Sequence, residues 1–173
     1  MATTLDSSTV SNIVVDCAGG NDTVVMSKGD GTNQVRVPTH FSDPGHVTFS
    51  LVLKDSGTPG ITASPRELNS VTITHYRVVY RRTDGHNIQG VDVPYAFDSG
   101  MTLTVTPSGG AQSSFDLVRV SAKLEAPLLA LASNGETLDV IADVTFYGKD
   151  QHNNDVAVTG SIGVTFANYG DPG

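Results

Sequence analysis

The densest cationic feature of the chain is Arg77, Arg81 and Arg82, interleaved with Tyr76 and Tyr80 in an otherwise acidic sequence. Flat aromatic rings beside guanidinium groups offer weakly hydrated planes, which is the chemistry of a sugar platform or of a protein hot spot. If this stretch is a strand, Tyr76, Val78, Tyr80 and Arg82 share one face, and His75, Arg77, Val79 and Arg81 share the other. Tyr76, Tyr80 and Arg82, joined by Tyr95, are therefore the candidate binding residues for a carbohydrate or a protein. A plainer arrangement uses the same residues and is favoured by their types: the tyrosines fill the edge of a core, and the arginines pair with nearby carboxylates such as Asp84. The absence of Trp also counts against a sugar.

No other grouping carries catalytic chemistry. His40, His46, His75, His86 and His152 are scattered, without the HxH, HExxH or Cys/His spacing of a metal centre. No nucleophile elbow, phosphate-cradling loop or dinucleotide fingerprint is present. Asp84, Asp92 and Asp98 bracket one turn region and Asp150 and Asp155 another, so loop carboxylates are available for calcium. Their spacing matches no dedicated calcium loop, and capping of turns explains the same residues. The Asn21 acceptor pattern, "NDT", is short enough to arise by chance and is given no role. The reading is of a non-enzymatic chain with no metal and no cofactor.

The elements that must hold these side chains are strands. From Val140 to Phe166 the apolar and small residues fall on even numbers: Val140, Ala142, Val144, Phe146 and Gly148, then Val156, Val158, Gly160, Ile162, Val164 and Phe166. Opposed residues in an antiparallel pair share a face, so even pairs with even and the connecting loop has an odd length. A three-residue loop at His152, Asn153 and Asn154, with Asn154 left-handed, meets that condition and sets Phe146 opposite Gly160. Val47, Phe49, Leu51 and Leu53 alternate with polar or exposed positions in the same way.

Elsewhere, Val10–Cys17, Thr23–Met26 and Gln34–Val37 make short strand candidates separated by "AGGND" and "KGDGTN". Residues 1–8 are small and polar and read as a flexible lead-in. Asp55–Asn69 is the longest candidate loop. Val71–Thr83 leads through "DGHNIQG" to "VDVPYAF" as a second hairpin, and Met101–Val105 turns at "PSGG" into a strand over Phe115–Leu124 as a third. Only "PLLALA", Pro127–Ala132, favours a helical turn. Residues 9–170 therefore read as one all-β domain: an antiparallel β-sandwich of immunoglobulin-like or jelly-roll type, with eight to ten strands and at most one short helical turn.

The chain has 173 residues, enough for a core without staples, and a net charge of −8 that repels phosphate backbones and anionic lipid. Nucleic acid is not an expected partner. No run is long enough to span a bilayer, and the first residues lack the basic start and apolar stretch of a secretory leader. Cys17 is the sole cysteine and continues the apolar set of Ile13 and Val15, which suits a buried thiol. Val10, Ile13, Val15 and Cys17 also mark a segment that another copy's sheet edge could accept, although an ordinary first strand of the same domain is the favoured reading.

The segments "VTITHYRVVYRRTDGHNIQGVDVPYAF" and "ADVTFYGKDQHNNDVAVTGSIGVTFANYGD" resemble parts of poorly characterised secreted bacterial proteins, often lipoprotein-like, with immunoglobulin-like sandwiches. The resemblance spans roughly residues 70–170 and lies in strand texture and turn phrasing, so it transfers no functional residue. It implies extracellular or cell-surface display. Three roles follow as expectations: a structural or interaction module that assembles with copies of itself or another surface protein; a carbohydrate- or protein-recognition domain; and a virion surface subunit.

Overall fold

The computed structural model describes residues 2–6, 13–16, 23–28 and 33–38 as backbone strands, together with 41–52 and 70–168. The chain is all-β. Its elements run β1 (Ala2–Asp6), β2 (Ile13–Asp16), β3 (Thr23–Lys28), β4 (Asn33–Pro38), β5 (Asp43–Val52), β6 (Val71–Arg81), β7 (Phe97–Val105), β8 (Ala111–Val118), α1 (Val120–Lys123), α2 (Leu128–Asn134), β9 (Thr137–Asp150) and β10 (Asp155–Ala167). Among the described residues the sheet orders are β1-β5-β8, β2-β10-β9-β6-β7 and β3-β4. The candidate loop Asp55–Asn69 lies outside the described residues. Ala2–Asp6, expected as lead-in, runs as β1 antiparallel to β5.

The even-numbered face of β9 is buried from Leu138 to Gly148, and on β10 Val164 and Phe166 are buried beside it. Even residues pair with even residues throughout this hairpin. The loop, however, is displaced by one position from the expected one. Asp150 N–H donates to the Asn154 carbonyl at 3.0 Å, so Gln151, His152 and Asn153 form the three-residue loop and Asn153, not Asn154, is left-handed at φ 64°. The cause is the Asp150 carboxylate, which accepts the backbone N–H of His152 and of Asn154 and the Asn154 side-chain amide, each at 2.8 Å. Phe146 consequently faces Val158, and Gly160 faces Val144.

Phe146 joins the two larger sheets. Phe49 of β5 meets it edge-on at 5.0 Å, Phe115 of β8 edge-on at 5.3 Å, and Tyr76 of β6 at a tilt at 5.8 Å. These are favourable aromatic geometries, each adding about 0.5–1.5 kcal/mol beyond the burial itself. Val47, Val78, Val105, Leu117 and Val144 complete the interior around this cluster.

Two of the expected hairpins are corrected. β6 pairs with Phe97–Val105, while most of "VDVPYAF" belongs to the connection between them. β7 and β8 do not pair as a ladder: β7 joins β6 and β8 joins β5, and only an isolated Thr106–Gly110 bridge closes the turn between them. The strand expected to continue to Leu124 stops at Val118, because the chain coils into α1. There Lys123, only 4% exposed, lies 3.0 Å from Asp43 at the start of β5. A strand continuing in register would carry Lys123 away from that carboxylate. The two short helices exceed the single turn expected; α2 ends on Gly135, left-handed at φ 66°.

β6 contains a bulge at Thr74. Val71 and Ile73 point inward on odd numbers, whereas Tyr76, Val78 and Tyr80 do so on even ones. Gly148 faces this kink, where a Cβ would run into the backbone of Thr72 and Ile73.

Candidate functional site

The four residues nominated for binding do not form one surface. Tyr76 and Tyr80 are each 2% exposed, so neither ring offers a face to a partner. The alternation that places them with Val78 is as expected, but that face is the core. Their hydroxyls instead serve β8. Tyr76 donates to the Asp116 carbonyl at 3.2 Å and accepts the Asp116 N–H at 3.0 Å, replacing the strand that β8 lacks on that side. Tyr80 donates to the Leu117 carbonyl at 2.5 Å. Burial, opposed by the positive charge of Arg119 and slightly reinforced by Asp43 and Tyr76, pushes the Tyr80 hydroxyl well above the ordinary tyrosine range.

Arg82 is partly exposed and committed to Asp84, its Nε 3.1 Å from Oδ1, and its backbone N–H is held by Asn87. The Arg82 side chain first, then the His86 backbone N–H at 3.1 Å, hold the Asp84 carboxyl down to about 2. Tyr95 is exposed in the β6–β7 connection, packed where Gly90 leaves room at φ +77°. Of the acidic turn residues, Asp92 accepts the Ile88 N–H, Asp98 pairs with Arg77 at 2.8 Å and Asp155 with Lys149 at 3.4 Å. Among the described residues no three His, Cys, Asp or Glu side chains converge to hold a metal ion, and no helix is long and apolar enough to cross a membrane. Of the segment nominated for assembly, Ile13 and Val15 lie in β2, which runs parallel to β10 opposite Val164 and Phe166. Val10 and Cys17 lie outside the described residues.

The outer face of the β10-β9-β6-β7 sheet is polar and internally paired. Arg81 holds Asp143 at 2.6 Å, and Thr145 meets Thr159 across the strands at 2.8 Å. Partial burial pushes the Asp143 carboxyl up, but hydrogen bonds from Arg81 and Ser161 outweigh it and leave the group below its ordinary value. In the middle of this face His75 stacks on Tyr147, ring centres 4.7 Å apart and 10° from parallel. Gly100 lies opposite His75 and Ala157 opposite Tyr147, so the aromatic pair stands as a ridge between two small residues. The sequence reading assigned no role to Tyr147, because the register that puts it beside His75 depends on the bulge.

The sheet edges differ in how well they are closed. β7 is kinked by its irregular register opposite Ile73–His75, and the β8 edge is occupied at Asp116 by Tyr76. Between them opens a cleft of about 340 Å³ whose walls include Met101, Phe115, Ser99 and Ser113. On the opposite side, β1 covers β5 from Thr48 to Val52 and β2 covers β10 from Val164 to Ala167. No strand among the described residues pairs with the outer edge of β10 from Asp155 to Gly163.

That edge has an unusual composition. Val156–Gly163 contains no charged residue and no proline, the two commonest devices that stop an edge from recruiting another strand. Val156, Val158 and Ile162 are only half-buried, and a shallow apolar slot lined by Gly45, Phe115, Phe146, Gly160 and Ile162 lies beside them. The phase of its hydrogen bonds follows from the loop. Because Asp150 bonds Asn154, alternate pairs 148–156, 146–158, 144–160 and 142–162 are the hydrogen-bonded ones. Ala157, Thr159, Ser161 and Gly163 therefore turn their backbone N–H and C=O groups outward. The uncharged run "VAVTGSIG" was visible in the sequence; that it lies at an edge was not.

No family model, no curated protein and no solved structure matches the chain.

Proposed function

We propose that the chain is a non-catalytic interaction module of an extracellular or cell-surface assembly, joining copies of itself or another surface protein through a strand edge. The observation that carries this reading is the β10 edge: uncharged, proline-free, with outward backbone groups and half-buried valines. An immunoglobulin-like β-sandwich is the architecture that the sheet orders support. The first strands divide between the two sheets, β1 beside β5 and β2 parallel to β10, and the packed aromatic cluster lies between them. Display outside the cell rests on the resemblance in strand texture.

Light scattering and electron microscopy of the purified chain test the assembly reading. Concentration-dependent growth in mass, or rings or filaments on the grid, supports it. A monodisperse monomer that also captures no purified surface protein of the same cells sinks it.

The His75–Tyr147 ridge favours a second reading, recognition of a carbohydrate whose ring lies against the exposed imidazole or phenol face. Binding on a glycan array that disappears in Tyr147→Ala, with the melting temperature retained, supports this reading. An array without hits counts against it.

A further inference from the structure

The geometry points to a twofold dimer in which the Asp155–Gly163 edge of β10 pairs antiparallel with the same edge of a second copy, a claim that rests on the assembly reading above and names its surface. Three observations limit the register, and among the pairings they allow the longest ladder over residues 155–163 is centred on Thr159. Outward hydrogen-bonding groups belong to the odd residues, so odd must oppose odd. β2 occupies the edge from Val164 onward, so pairing stops at Gly163. The chain charge of −8 requires that carboxylates stay apart.

All three conditions are met when Thr159 sits on the twofold axis opposite Thr159 of the second copy. Ala157 then exchanges backbone hydrogen bonds with Ser161 of the second copy, and Asp155 lies opposite Gly163 of the second copy, far from its own symmetry mate. On the inner face Val156 meets Ile162 of the second copy, and Val158 meets Gly160. The half-buried apolar side chains thus gain cover in an isologous contact. The two four-stranded blocks β7-β6-β9-β10 become one continuous sheet, with both His75–Tyr147 ridges on the same polar face.

The contact is smaller than the roughly 20–30 residues a side of a standard interface, so the expected dissociation constant is on the order of 10–100 µM. Sedimentation velocity of the intact chain from about 5 to about 500 µM brackets that range. Thr159→Pro and Ala157→Pro each remove one outward N–H and no backbone bond to β9, so the fold survives on an edge position; the first also gives up the Thr145–Thr159 hydroxyl bond, which makes Ala157→Pro the cleaner variant.

The expected result is a wild-type monomer–dimer equilibrium and a weakening of more than about a hundredfold in both proline variants, with unchanged circular dichroism. A wild-type chain that stays monomeric throughout overturns the pairing and its self-association arm. A dimer indifferent to both prolines overturns the pairing while leaving self-assembly by another surface intact. Should either variant fail to fold, amide exchange of the wild type gives the same decision. Ala157, Thr159 and Ser161 must slow with rising concentration while Ser114 on β8 does not, and equal behaviour overturns the pairing.

Discussion

Replacing Tyr80 by Phe removes one hydroxyl from the interior and leaves the ring, which packs edge-on against Phe166 at 6.1 Å, in place. At neutral pH the loss is the hydrogen bond to the Leu117 carbonyl, about 1–2 kcal/mol for a bond between buried neutral groups. The pH dependence then separates this hydroxyl from an ordinary packing effect. In the unfolded chain Tyr80 ionises around its ordinary 10.0, whereas burial keeps it protonated in the folded chain well beyond that point. Unfolding above pH 10 therefore releases a proton. The contribution is fully present below the unfolded pKa and is lost as pH rises toward the folded one, at about 1.4 kcal/mol per pH unit.

The variant lacks this loss. Its deficit at neutral pH should accordingly close near pH about 11 and reverse beyond it, since one unit of linkage matches the hydrogen bond. Urea unfolding followed by circular dichroism from neutral pH to about 11.5 reads both stabilities, with the remaining tyrosines and lysines common to the two proteins. Two outcomes refute the reasoning: a deficit that stays constant with pH, and a variant as stable as wild type at neutral pH. Either would mean that the Tyr80 hydroxyl is already solvated in the folded state.

Phe146→Ala removes the ring shared by Phe49, Phe115 and Tyr76 and should cost about 3–5 kcal/mol in denaturant unfolding, enough to unfold a marginal domain. Gly148→Ala sets a methyl against the β6 backbone at its kink and should cost about 1–3 kcal/mol, read as a lower urea midpoint with unchanged slope. Asp150, held below its ordinary 3.8 by hydrogen bonds from Asn154 and then His152, stabilises the β9–β10 loop above that pH, and the contribution fades as pH falls through the lowered value. Amide exchange at His152 and Asn154, expressed relative to the intrinsic rate at each pH, should therefore quicken on acidification. In Asp150→Ala it should already be fast at neutral pH.

The strand pattern was legible where alternation ran unbroken. Val140 to Phe166 declared both its buried face and the even-to-even pairing, because period-two burial is a local property. The loop position was not, since an odd length admits more than one placement and the choice is made by Asp150 reaching over the turn. In β6 the two halves alternate out of step, and only the adjacent Thr74 and His75 hint at the reason. Tyr76 and Tyr80 had the right types for a binding surface and the right spacing for a core. What decided between these was the position of Asp116 and Leu117, 40 and 37 residues further along the chain, which no local pattern encodes. The departure of β8 into α1 was hidden for the same reason, as Lys123 answers to Asp43 from the far end of another strand.

The kink at Thr74 divides β6 into two lengths of chain that obey opposite counting rules, with Gly148 as the gap into which the mismatch folds. Removing Thr74 alone would leave Val71, Ile73, Tyr76, Val78 and Tyr80 on one unbroken inward alternation, whereas removing a residue away from the bulge, Arg77 for example, would turn the strand beyond it inside out. A single deleted codon is therefore better tolerated at this point than at any position away from the bulge, and what it would cost is the local kink that Gly148 accommodates.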